Sequence, residues 1–91
     1  MEFLVRVDGA DVYDLPDDEA TALIEKERER GRELMEDGII QDFWRIPGKP
    51  VNIGIWSASD VDALEEALTS LPVWSYADID VTPLASHPMT E

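Results

Sequence analysis

The sequence predicts an α+β fold in which two helices cover one face of a four-stranded antiparallel sheet. Three observations predict it. Strand-like runs alternating apolar and polar residues lie near both ends of the chain. A long apolar stripe at helical spacing follows the first run, and a shorter one precedes the last. Between the helices, two further strand-like runs are joined by Pro47-Gly48-Lys49-Pro50, a strong turn signal.

Each element follows in order. Phe3, Val5 and Val7 alternate with Leu4, Arg6 and Asp8 as a first strand. Gly9 to Pro16 reads as a loop. The first helix spans Asp17 to Asp37, with Asp17 as its cap and acidic residues in its first turn. Gly38 ends it as a left-handed cap. Ile39–Ile46 and Val51–Trp56 form a hairpin around the Pro-Gly turn. Ser59 caps a second helix, with Asp62 as a variant capping box and Val61, Leu64, Ala67 and Leu68 as its stripe. Leu71-Pro72 stops it. The fourth strand runs from Tyr76 to Thr82, and Leu84–Glu91 is a tail. The resulting β-α-β-β-α-β order is the ferredoxin-like motif, read as a single domain over residues 1–91. The sheet face turned away from the helices is expected to carry Leu4, Arg6, Asn52, Trp56 and Tyr76. A partner sheet packed over it would leave a mixed apolar and polar cavity suited to a small molecule.

Composition narrows the function. The chain has 21 Asp and Glu against 7 Lys and Arg, a formal charge of −14. Such a surface repels phosphate, which argues against nucleic acids and anionic membranes. No apolar run is long enough to span a bilayer, and the N-terminus shows no leader pattern, so a cytoplasmic protein is expected. With no cysteine, disulfides, thiolate metal sites and thiol nucleophiles are all excluded. The expectation is a protein without metal or cofactor. A chain of 91 residues leaves little room for a closed cavity, so association of copies is expected to complete one.

Glu27 is the residue that points to chemistry. Ala20, Leu23, Ile24, Gly31, Leu34 and Met35 mark the first helix's apolar stripe, and Glu27 falls inside it. A carboxylate aimed at a core must be paired, hydrogen-bonded or shifted in pKa, because burial disfavours its charged form. A carboxyl poised near neutral pH is what proton transfer needs. The structural alternative is a carboxylate at the stripe's edge that reaches water, or that pairs with Arg28 or Arg30.

Met1-Glu-Phe-Leu-Val-Arg-Val, Phe43-Trp44-Arg45-Ile46-Pro47-Gly48, the run from Leu71-Pro72-Val73 to Pro83-Leu84, and His87-Pro88 together resemble the muconolactone isomerase family over essentially the whole chain. The resemblance implies a ferredoxin-like domain pairing sheet to sheet into a dimeric α+β barrel and assembling into a decameric ring. It implies conversion of muconolactone to 3-oxoadipate enol-lactone in aromatic catabolism, without metal or cofactor. A close branch dehalogenates chloromuconolactone. The alternatives are therefore that dehalogenation, a biosynthetic rearrangement on the same scaffold, or a non-catalytic binding oligomer.

Glu27 matches a family glutamate, and the resemblance implies that it carries the proton. Asn52 matches too, and its amide suits a lactone carbonyl gaining charge. Arg45 and Arg6 match basic positions suited to the substrate carboxylate. Trp56 and Tyr76 are the aromatics placed to line a pocket, and His87 would serve if the tail closes a neighbour's pocket. Each has a structural alternative: Asn52 satisfying strand-edge groups, Arg45 paired with Asp42 or Asp78, the aromatics as core, and His87 as a tail contact. The chain departs from the family at Asp42, at Pro50-Val51 before Asn52, at Ile53 and Gly54 (read as opening space), at Ser57, at Ser75 and at Ala85-Ser86. These positions bear on the substrate more than on the fold.

Overall fold

The computed structural model describes residues 1–90. Glu91, the last residue of the expected tail, lies outside them. The order is β1 (Glu2–Asp8), α1 (Asp17–Glu36), β2 (Ile40–Arg45), β3 (Val51–Ser57), α2 (Val61–Thr69) and β4 (Asp78–Leu84), with short 3-10 turns at Ala10–Asp14, Trp74–Tyr76 and Pro88–Thr90. The strands form one antiparallel sheet in the order β2-β3-β1-β4, the ferredoxin-like arrangement.

Local chemistry sets the boundaries, with three corrections. Asp17 is the first helical residue rather than the cap. Pro16 holds the cap position without a side-chain bond, and Asp17, Asp18 and Glu19 offset the helix dipole. Asp60, not Ser59, caps α2, accepting the Ala63 N–H at 2.7 Å. The fourth strand starts two residues later than expected and runs to Leu84. The chain before it turns tightly, Trp74 N–H donating to Leu71 C=O (2.9 Å) and Tyr76 N–H to Val73 C=O (2.8 Å). That turn places Tyr76 outside the sheet. Pro83 is tolerated because β4 is an edge strand. The C-terminus of α1 behaves as expected. Gly38 has φ +75°, Ile39 N–H reaches Leu34 C=O and Gly38 N–H reaches Met35 C=O, which satisfies the last carbonyls.

Register decides which residues meet the helices. Phe3, Val5 and Val7 of β1 pair with Trp56, Gly54 and Asn52 of β3. Phe43 and Arg45 of β2 lie opposite Gly54 and Asn52. All of these share the helix-covered face, because directly opposed residues point the same way. Phe3, Val5, Leu34, Trp56, Leu64 and Leu68 form the centre of the core there. Asn52 and Trp56 therefore lie on the face opposite to the expected one. Leu4 and Arg6 do lie on the uncovered face, with Ile53, Ile55, Trp44 and Leu84.

Gly54 does not open space. A Cβ there would come within 2.8 Å of the Asp42 carbonyl oxygen and 2.9 Å of Phe43 Cβ. The β2 strand is irregular between Ile40 and Asp42, and the missing side chain lets it close against β3. Ile53 points to the uncovered face, so it opens no space in the helix–sheet layer either.

Candidate active site

A cavity of about 500 Å³ lies between α1 and the helix-facing side of β2 and β3. It is a product of the helix–sheet packing within one chain, not of a second sheet laid over the uncovered face. The β1–α1 connection closes one side with Val12 and Tyr13, and the segment after α2 closes another with Leu71 and Val73. This size and mixed lining suit a small molecule.

Glu27 enters from α1. It is half-buried, in company with Ile24, Leu71 and Val73. Burial raises its carboxyl pKa from the ordinary 4.5, and a hydrogen bond from the Val73 backbone N–H partly offsets the rise. That bond, 3.2 Å from Val73 N to Glu27 Oε2, joins residues 46 apart in sequence and orients the carboxylate. Neither arginine considered as a partner takes the role. Arg30 pairs with Glu33 at 2.8 Å, and Arg28 lines the cavity without an ion pair among the described residues.

Asn52 reaches the same cavity from β3, and its side chain forms no hydrogen bond among the described residues. Its donor and acceptor are therefore available to a ligand. Arg45 is its cross-strand neighbour, lines the cavity and pairs with neither Asp42 nor Asp78. Trp56 contributes a wall and is 4% exposed, so it serves the core as well.

The other three sequence candidates lie elsewhere in this chain. Arg6 is on the uncovered sheet face, 3.8 Å from Asp80. Tyr76 borders a separate, shallower groove with Leu15 and Lys26. His87 is in the tail, its Nδ1 accepting the Met89 N–H at 3.1 Å. Among the family departures, Pro50 and Val51 line the cavity, whereas Ile53 and Ser57 point to the other face of β3.

The sequence reading named Arg45 but missed that three further cations share the cavity with it. Arg28, Arg32, Arg45 and Lys49, four of the chain's seven Lys and Arg, line it together with one carboxylate, Glu27. The arginines outside it, Arg6 and Arg30, each have a carboxylate partner. The three inside have none among the described residues, in a chain with 21 acidic side chains. Arg28 and Arg32 are four residues apart on a helix, a spacing that places them on one side and could have signalled a shared role. A net acidic protein thus presents a locally cationic cavity, which answers how it could receive an anion.

No helix among the described residues is long and apolar enough to cross a membrane. Among the same residues, no group of three or more His, Asp or Glu side chains is placed to hold a metal ion.

Comparison with known proteins converges on one family. The family model for muconolactone delta-isomerase matches residues 1–90. The muconolactone delta-isomerase of Cupriavidus pinatubonensis is 34% identical over 88 residues, covering 97% of this chain and 96% of that one. The Rhodococcus opacus enzyme of the same name is 36% identical over 85 residues, covering 93% and 91%. A crystal structure of muconolactone isomerase superposes with a TM-score of 0.86 at 33% identity, covering 97% of this chain and 92% of that one. With fold, length and sequence all matched from end to end, the chain belongs to the muconolactone delta-isomerase family.

Proposed function

We propose that this chain moves a proton within muconolactone, or a close unsaturated lactone acid, giving the enol-lactone. The observation that carries the reading is the half-buried Glu27 carboxyl, its pKa raised, facing a cavity that also holds a free amide and unpaired cations. In the first step the Glu27 carboxylate takes a proton from the saturated ring carbon next to the double bond, which the conjugated carbonyl acidifies. The electron pair moves through the double bond onto the lactone carbonyl oxygen, giving a dienolate. The Asn52 amide N–H donates to that oxygen as charge develops. In the second step the Glu27 carboxylic acid returns the proton to the carbon two atoms away, and the double bond shifts. The carboxylate is regenerated and no co-reactant is consumed. Burial suits both steps, because it brings the pKa towards the operating pH. The direct test is incubation with muconolactone while enol-lactone is followed. Formation of the product supports the reading, and its absence from assembled protein refutes it.

Arg45 is assigned the substrate carboxylate. It neighbours Asn52 across the strand pair, so carboxylate and carbonyl are held side by side, and Arg28 and Arg32 add attraction from α1. Arg45→Gln is expected to raise KM about 10–100-fold, the scale of one lost hydrogen bond to a charged group. An unchanged KM would remove Arg45 from the binding site.

The chain is also proposed to pair through its uncovered sheet face and to build a larger ring from such dimers. Leu4, Ile53, Ile55, Trp44 and Leu84 lie on that face, and Trp44 is 54% exposed. An apolar sheet face of this kind calls for cover. Sedimentation is expected to show a dimer or larger assembly that Ile55→Asp dissociates. A monomeric parent would refute the pairing.

A further inference from the structure

We infer that Gly31 is a specificity-determining position, a notch in α1 against which the substrate ring rests one turn from Glu27. The inference rests on the lactone reading and adds to it the surface that sets which rings fit. Glycine in mid-helix is unfavourable, so its presence at the fifteenth residue of a twenty-residue helix needs a reason. Two ordinary reasons fail. Gly31 does not have a positive φ, so the backbone does not require glycine. A Cβ built on it would meet nothing within 4 Å, so no neighbouring segment requires close approach. What the missing side chain leaves is space, and Gly31 lines the cavity.

Its position gives that space a use. Gly31 follows Glu27 by four residues, which places it beside the carboxylate on the same helix face, about 5–6 Å away. Met35 continues that face by another turn and also lines the cavity. A flat ring laid on the backbone at Gly31 brings a ring carbon to the Glu27 carboxylate while its acid arm extends towards Arg45. A methyl group at this point would lift the ring away from both. The notch therefore limits the thickness of the ring or the ring substituent that can react.

The test is a size series, Gly31→Ala and Gly31→Leu, measured at a fixed protein concentration. Four readouts are needed: Tm, sedimentation, turnover of muconolactone, and calorimetric binding of the saturated lactone acid, which lacks the double bond and cannot react. Gly31→Ala is expected to raise Tm by about 2–8 °C, as a better helix former should in a domain of this size. The Kd for the saturated lactone is expected to rise about 5-fold or more in the alanine variant and further in the leucine variant, with kcat/KM falling in parallel. Unchanged binding in both variants would overturn the inference. A lower Tm in Gly31→Ala would also overturn it, since the glycine would then serve the backbone. A changed sedimentation pattern would overturn it by assigning the notch to subunit packing. A parent that binds the saturated lactone without turning over muconolactone would sink the reaction and leave the notch to be judged by binding. A parent that does neither overturns both.

Discussion

Glu27→Gln is expected to lower kcat by about 10²–10⁴-fold, the usual contribution of a positioned acid–base group, while making the fold more stable at neutral pH. Glutamine keeps an amide oxygen that can accept the Val73 N–H, so the orientation at 3.2 Å has a replacement acceptor. What it cannot do is take up a proton from carbon. The stability half follows from the pKa. Burial raises the folded-state value above the ordinary 4.5. Between the unfolded and folded values the native state binds more protons than the unfolded chain, so stability falls as pH rises through that window. Above the folded pKa the native chain carries the whole penalty of a partly buried charge. Glutamine carries none of it, so the variant's advantage should be present at neutral pH and shrink below about pH 4, where the parent carboxyl is protonated in both states. Activity should run the other way. The parent's kcat/KM should fall as pH drops through the raised pKa, because the base form is lost. Paired melting curves and initial rates across pH would check both halves. A variant that is slower and also less stable at neutral pH would mean that Glu27 acts through structure rather than proton transfer.

Trp56→Ala should show the opposite relation, losing stability and activity together. Trp56 is 4% exposed, lies opposite Phe3 on one side and Ile40 on the other, and walls the cavity. Removing a buried aromatic of this kind costs about 3–5 kcal/mol through lost transfer energy and the cavity left behind. Small domains have about 5–15 kcal/mol in total, so the variant should be close to unfolding in mild urea. The measurement is urea unfolding at one protein concentration, because association of copies would otherwise shift the midpoint. A cost below about 1 kcal/mol would show that the cavity side of Trp56 is already unpacked and that its role is ligand contact alone.

The two variants separate kinds of information. Glu27 was legible in the sequence because a helix is a local object. Ala20, Leu23, Ile24, Gly31 and Leu34 state the stripe, and Glu27 lies on it wherever the helix packs. The face taken by β3 was not legible. Val51, Ile53 and Ile55 alternate with Asn52, Gly54 and Trp56, and the apolar phase would ordinarily be turned to the core. In the fold the isoleucines face away from the helices, and Asn52, Gly54 and Trp56 face them. Each has a non-local reason: Asn52 faces the cavity, Gly54 admits β2, and Trp56 fills the centre. The local rule fails where the strand carries the candidate site.

The sequence by itself determined the order of elements, the helix face that holds Glu27, and the acidity that disfavours polyanionic partners. These are properties of spacing and composition, which act over a few residues or over the whole chain without regard to path. Only the tertiary structure decided that the Val73 N–H orients Glu27, that Arg28, Arg32, Arg45 and Lys49 converge, and that Arg6 is turned away to Asp80. Those depend on strand register and on the seating of α1 across the sheet. One residue of slip would send every side chain of β3 to the other face, and the local alternation favours the phase that the register of the whole sheet overrules.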